Sequence, residues 1–198
     1  MRAVARYCAS SKPIHWKVAL STLGYVGRRV HSDLVFRVAG LGMQVFADAD
    51  YVCKAADRRS VSGGLVMYGG VCVSWFSKAQ KCITISTTEA AYVARVNVIK
   101  EVLFLRQIWW FVLLDVRMPY IPLFENNEGA EQIAQKPITN SDSNHIDIRH
   151  HFLTELLIVG GEEISIIHVL SAFQHVGILT KAIAQDSFEF HRNFARNL

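Results

Sequence analysis

The chain has 198 residues, of which 51% are hydrophobic and 19% charged, with a formal net charge of +4. That is enough to bury a real core in one domain, or in one domain with an attached segment, and it argues against global disorder. The richest apolar run, IWWFVLL at 108–114, is bounded by Arg106 and Asp115. It falls short of the roughly 20 apolar residues a membrane span needs and reads as the buried end of a helix.

The N-terminal MRAVARYCASSKPIHWK has basic residues with no apolar core after them, so it lacks the form of a secretory signal. The expectation is an intracellular protein, cytoplasmic or nuclear, with no membrane partner. Cys8, Cys53, Cys72 and Cys82 form no CxxC pair and are expected as reduced, small buried hydrophobes. The modest basic excess permits an anionic partner without requiring one.

Pro13 after Ser10 and Ser11 predicts a leading helix up to Gly27, outside the main sheet. From Met43 three short β-prone runs follow, QVFADAD, GGLVMYGG and VCVSWFS, divided by glycine pairs and a loop holding Asp57, Arg58 and Arg59. Such short connections make them antiparallel neighbours. Ser86, Thr87 and Thr88 with Glu89 predict the start of a long helix running to about Leu114. A strand through PLFEN then leads into a helix stopped by Pro137, and a further helix is expected over 143–159, ending at Gly160 and Gly161. The strand EEISIIHVL and a last helix near His175 to Ala184 complete the order βββ-α-β-α-α-β-α. The fold class is α/β, a mixed sheet flanked by helices.

On the first strand, Asp48 and Asp50 share a face while Ala49 points away. Glu89 opens a helix that can pack back over that strand. Carboxylates converging in this way suit two Mg²⁺ ions that activate water and stabilise a leaving oxygen. A strand acid pair is more often simply solvated, and the residues by themselves leave both readings open. Among the histidines, His145, His150 and His151 lack the spacing of a helical zinc pair and suggest a helix-start and packing role. His168 and His175 are readable as proton shuttles or, more commonly, as packed or exposed side chains.

Longer motifs add a resemblance. FADADYVCKAADRRSVSGG, SWFSKAQK and STTEAAY resemble the SDADWAxDxxxRKSTSG, SWxSKKQ and SSTEAEY patterns of the ribonuclease H domain of copia-type retrotransposon polyproteins. PITNSDSNHIDIRHHF is similar to KNPxxHxRTKHIDIRYHF, and HVGILTK to xADILTK. SKPIHWKVALSTLGYV is similar to the segment joining reverse transcriptase to ribonuclease H, which would make 1–40 a connection segment and 41–198 the ribonuclease H-like domain.

The resemblance implies a five-stranded mixed sheet with helices and Mg²⁺-dependent cutting of RNA in an RNA/DNA hybrid. It implies as partners the hybrid and the reverse transcriptase portion of the same polyprotein. Asp48 matches the first catalytic aspartate, and Glu89 the glutamate of STEAEY; both would be metal ligands. FENNEGA aligns with a family FEDNEGA, placing Asn126 where the third acid belongs, and VGILTK places Gly177 at the fourth. Ala91 stands where STEAEY has a second glutamate that is not a metal ligand.

By strand alternation Glu125 points away from Asn126's face, so it replaces the lost acid only through a register slip or bulge. No acid lies near Gly177 before Asp186. Four carboxylates would balance two divalent ions, and two leave half of that charge uncompensated. The expectation is a domain that keeps the fold with weak or absent nuclease activity. The alternatives are an active ribonuclease with substituted ligands and a non-catalytic binding module. Arg58, Arg59, Ser62, Lys78 and Lys81, expected in loops beside the active edge, are the candidate phosphate contacts.

Overall fold

A computed structural model of the chain describes residues 7–29, 42–52, 58–112, 120–127, 129 and 164–196. Contacts divide the chain into two compact units, Met1–Leu34 and Val35–Leu198.

The first unit holds a 3₁₀ turn at Cys8–Ser10 and helix α1, Pro13–Gly27. Pro13 occupies the first turn, where a missing N–H costs nothing. Lys12 N donates to His15 Nδ1 at 3.0 Å, and the His15 ring stacks on Tyr7 with centroids 4.0 Å apart. No residue of α1 is buried, and Ile14, Trp16 and Leu23 are exposed.

The second unit is built on a five-stranded sheet ordered β3-β2-β1-β4-β5. The strands are β1 Met43–Asp50, β2 Val61–Tyr68, β3 Val71–Ala79, β4 Ile121–Glu125 and β5 Ile164–His168. The first three pair antiparallel, as the glycine punctuation predicts. Gly69 and Gly70, at φ 57° and 80°, form the two-residue turn between β2 and β3, a conformation whose twist matches a hairpin. β4 lies parallel to both β1 and β5. Its pairing with β1 begins only at Leu123, so Pro122, which has no N–H, sits one residue before that ladder.

Helix α2, Thr87–Val112, covers one face of the sheet. Ser86 Oγ accepts from Glu89 N at 3.0 Å, capping the helix, and the Glu89 carboxylate reaches back to accept from Ile85 N at 2.7 Å, one residue before the position a capping box uses. Val96, Val98, Ile99 and Val102 pack with Val45, Ala47, Val66 and Leu123 in the main core. Beyond Val102 only one side of the helix keeps this contact: Leu103, Leu105 and Trp109 are half-buried against the core, Trp109 meeting Tyr68 with ring centroids 4.2 Å apart. Phe104, Ile108, Trp110, Phe111 and Val112 are exposed, Phe111 at 86%, so among the described residues of the run at 108–114 only Trp109 fits the expectation of a buried helix end.

The opposite face carries a smaller core of Phe46, Leu65, Met67 and Val176, with Leu179 and Phe194 against it. These last elements are the short helix α3, Gly177–Thr180, and helix α4, Gln185–Arg196. The expected final helix near 175–184 is thus one turn followed by a separate helix. The helices expected after β4 and over 143–159, with His145, His150 and His151, lie outside the described residues. Cys8 and Cys82 are exposed and Cys72 is half-buried, so the expected burial fails for the first two. Among the described residues no helix is long and apolar enough to cross a membrane.

Candidate active edge of the sheet

β1 and β4 run side by side, and their ladder ends at the pair Phe46–Phe124. Two residues further along the chain stand Asp48, still within β1, and Asn126, one residue past the end of β4. The carboxamide of Gln174, 2% exposed, donates to Ala47 O at 3.0 Å and to Phe124 O at 3.3 Å, bridging the strands where they part. This bridge also anchors α3, because Gly177 N bonds back to Gln174 O at 3.1 Å. On the other side, Gln80 Nε2 donates to Ala90 O at 2.8 Å and to Ser62 Oγ at 2.9 Å, fixing the start of α2 beside β2. Asp48 pairs with Gly63 on the same strand β2. The four positions 48, 89, 126 and 177 therefore gather at one end of the sheet.

Their side chains are already committed. Asp48 is 5% exposed; its Oδ2 accepts from Thr180 Oγ1 at 2.6 Å and lies 3.5 Å from Lys181 Nζ. Glu89 turns back to cap its own helix. Asn126 Nδ2 donates to Ser171 Oγ at 3.1 Å. Gly177 contributes no side chain. Glu125 is buried on the α2 side of the sheet, where its Oε2 accepts from Arg95 Nε at 2.7 Å and also from Arg95 Nη2. Neither a register slip nor a bulge turns it toward Asn126: β4 pairs in register with β5 through Glu125.

The residues present do not fit a two-ion site. Among the described residues no group of three or more His, Cys, Asp and Glu side chains could hold a metal ion.

The candidate phosphate contacts divide. Arg58, Arg59, Lys78 and Lys81 are exposed, and Lys78 Nζ sits 4.9 Å from the centre of the Phe76 ring. Lys78 belongs to β3 rather than to a loop. Ser62 lies within β2, is fully buried, and accepts from Gln80, which corrects its placement at the surface. Arg58 has φ 49°, a backbone conformation uncommon outside glycine.

Behind the edge, His175 and His191 face each other with Nδ1 atoms 3.1 Å apart. His175 stacks on Phe194 with ring centroids 3.5 Å apart and meets Phe46 edge-on. Burial, with the His191 charge adding to it, pulls its pKa down to about 4. Burial, then the nearby Lys181, lowers that of His191. His168 ends β5 and is exposed.

Sequence reasoning missed Arg95, Gln174 and Thr180. Arg95 was detectable: it lies among Ala91, Val98 and Ile99 on one apolar helix face, and a charge there requires a partner. Nothing in the local pattern marks Gln174 as a buried bridge.

This sheet order, with a helix opposite each face and carboxylate positions at the splayed strand ends, defines a ribonuclease H-like domain. Solved structures agree. LC11-RNase H1, isolated from compost by a metagenomic approach, superposes with TM-score 0.53 at 10% identity, over 71% of this chain and 94% of that one. The same enzyme in complex with an RNA/DNA hybrid gives TM-score 0.51 at 11% identity, over 70% of this chain and 93% of that one. No protein-family model matches.

By sequence the chain is 26% identical over 186 residues to the retrovirus-related Pol polyprotein from transposon TNT 1-94 of Nicotiana tabacum, covering 94% of this chain and 14% of that one. It is 27% identical over 186 residues to the corresponding polyprotein from transposon RE2 of Arabidopsis thaliana, covering 93% of this chain and 12% of that one. It is also 33% identical over 103 residues to secreted RxLR effector protein 161 of Plasmopara viticola, covering 52% of this chain and 72% of that one. Its homologues are copia-type Pol polyproteins from plant transposons at 26–29% identity, which together with the fold is consistent with the ribonuclease H domain of such a polyprotein. The chain spans only 14% and 12% of the length of the two plant polyproteins.

Proposed function

We propose that this domain keeps the ribonuclease H fold but has little or no power to cut RNA in an RNA/DNA hybrid. The observation that carries the reading is the state of the active edge. Two positions, Asn126 and Gly177, offer no carboxylate, and the nearest substitute, Glu125, is locked to Arg95. Asp48 and Glu89 are the catalytic and metal-binding candidates that remain, and Mg²⁺ held by these two alone would lack half of its charge compensation.

The test is a hybrid-cleavage assay in Mg²⁺ on the parent, on Asp48→Asn, and on the double reversion Asn126→Asp with Gly177→Asp. Background-level cleavage by the parent and a gain in the revertant are expected. Parent cleavage that Asp48→Asn abolishes would refute the proposal.

A second reading, hybrid binding without cleavage, is favoured by four exposed cations: Lys78 on β3, in register through Ser62 with Ala49, and Arg58, Arg59 and Lys81 in the segments just before β2 and just after β3. Such binding would weaken steeply with salt, because it releases counterions from the phosphates. A reverse transcriptase portion of the same polyprotein is the partner proposed for the exposed apolar residues of α1 and of the end of α2.

A further inference from the structure

Asp48 is a buried carboxylate, and a buried charge needs both a counter-charge and hydrogen bonds. Thr180 supplies the hydrogen bond at 2.6 Å and Lys181 the counter-charge at 3.5 Å. Both come from the turn that begins at Gly177. Lys181 N closes that turn on Gly177 O at 3.1 Å, and the lysine stem then runs past the glycine. A Cβ at Gly177 would lie 3.5 Å from Lys181 Cε. The stem therefore passes position 177 at ordinary contact distance, on the side where an acid at 177 would compete for the ammonium.

We propose that the Lys181 ammonium is the resident cation of this edge, standing at Asp48 in place of a divalent metal ion. The inference rests on the reading of the edge as a degenerate ribonuclease H site. It adds that the site is closed to metal by its own side chain as well as short of ligands. A divalent ion approaching Asp48 must displace a tethered cation and compete with the Thr180 hydroxyl for the same oxygen. Like-charge repulsion at such separations is worth at least a tenfold change in affinity in a partly buried site.

Neither readout of the test is cleavage, so its failure is separable from that of the proposed function. In the full chain with ¹³C-labelled aspartate, titration with Mg²⁺ and then with paramagnetic Mn²⁺ is expected to leave the Asp48 carboxylate resonance unshifted and unbroadened. In Lys181→Met, Mn²⁺ is expected to broaden it at a concentration at least about tenfold lower than in the parent. Lys181→Arg, which keeps the charge, should behave as the parent. Selective broadening of Asp48 in the parent at low Mn²⁺ overturns the inference whatever the variants do, including a Lys181→Met chain that fails to fold. Equal Mn²⁺ response in the parent and a folded Lys181→Met overturns it as well. Metal binding at Asp48 of the parent without hybrid cleavage would sink this inference and leave the proposed function standing.

Discussion

Glu125→Gln isolates the strongest electrostatic commitment near the active edge. Arg95 is fully buried and Glu125 is 3% exposed, and two guanidinium nitrogens converge on one carboxylate oxygen, Nε at 2.7 Å. A neutral amide there leaves the guanidinium buried without its counter-charge, which costs about 3–5 kcal/mol. A domain has only about 5–15 kcal/mol in total. At about 2–4 °C per kcal/mol for a domain of this size, the melting temperature should fall by about 10 °C. The assay is thermal unfolding by circular dichroism of Glu125→Gln, Arg95→Met and the double variant. The double variant should recover more than half of the loss, because removing both charges also removes both desolvation costs. A Glu125→Gln protein melting within about 2 °C of the parent would refute the reasoning. It would also return Glu125 to the pool of side chains free to serve Asn126's position.

Two further perturbations probe the opposite face. With the His175 pKa drawn down to about 4 from the ordinary 6.5, the folded protein holds fewer protons than the unfolded chain between those values. Stability is therefore complete above pH 6.5 and is lost as pH falls towards 4, with a ceiling of about 3 kcal/mol. Urea titrations at several pH values should show this slope in the parent and a flatter one in His175→Leu. Gly63→Ala would place a Cβ 2.7 Å from Thr180 Cγ2 and 3.2 Å from Val176 Cγ2. A loss of about 1–3 kcal/mol in chemical denaturation is expected, as α3 is pushed away from the strand and Thr180 from Asp48.

Much of this fold is legible because its boundaries are local chemistry. The Gly69–Gly70 pair separates β2 from β3, although Gly63 and Gly64 lie inside β2, and Ser86 with Glu89 fixes the start of α2 to within one residue. What escaped depends on packing. The run at 108–114 is apolar enough for a core, but of its described residues only Trp109 packs on the sheet, while Ile108, Trp110, Phe111 and Val112 are exposed. Helix α4 was missed because aliphatic periodicity is weak there; its contacts come from Phe190, His191 and Phe194, at the i, i+1, i+4 spacing of a helix face. Asp186, which belongs to its first turn, reads in isolation as a break.

At the active edge, the motif resemblance is what proposes Asn126 and Gly177 as positions of lost carboxylates, and motifs carry no information on what Asp48 and Glu89 are bonded to. That difference bears on what reversion would need. Gly177→Asp has room, since a Cβ there meets only Lys181 Cε at an ordinary contact distance of 3.5 Å. Asn126→Asp exchanges a donor for an acceptor, and the Ser171 hydroxyl can reverse its role and donate. Sterics and hydrogen bonding therefore permit both acids. The remaining opposition is electrostatic and lies in Lys181, to which a new carboxylate at 177 would itself be an attractive partner. An acid at 177 would compete with Asp48 for the ammonium and so loosen the pair that closes the edge. The acid at 177 thus does two things, adding a ligand and drawing away the lysine, whereas the acid at 126 only adds a ligand. Of the two single reversions, Gly177→Asp is accordingly the one expected to move the edge further towards metal binding.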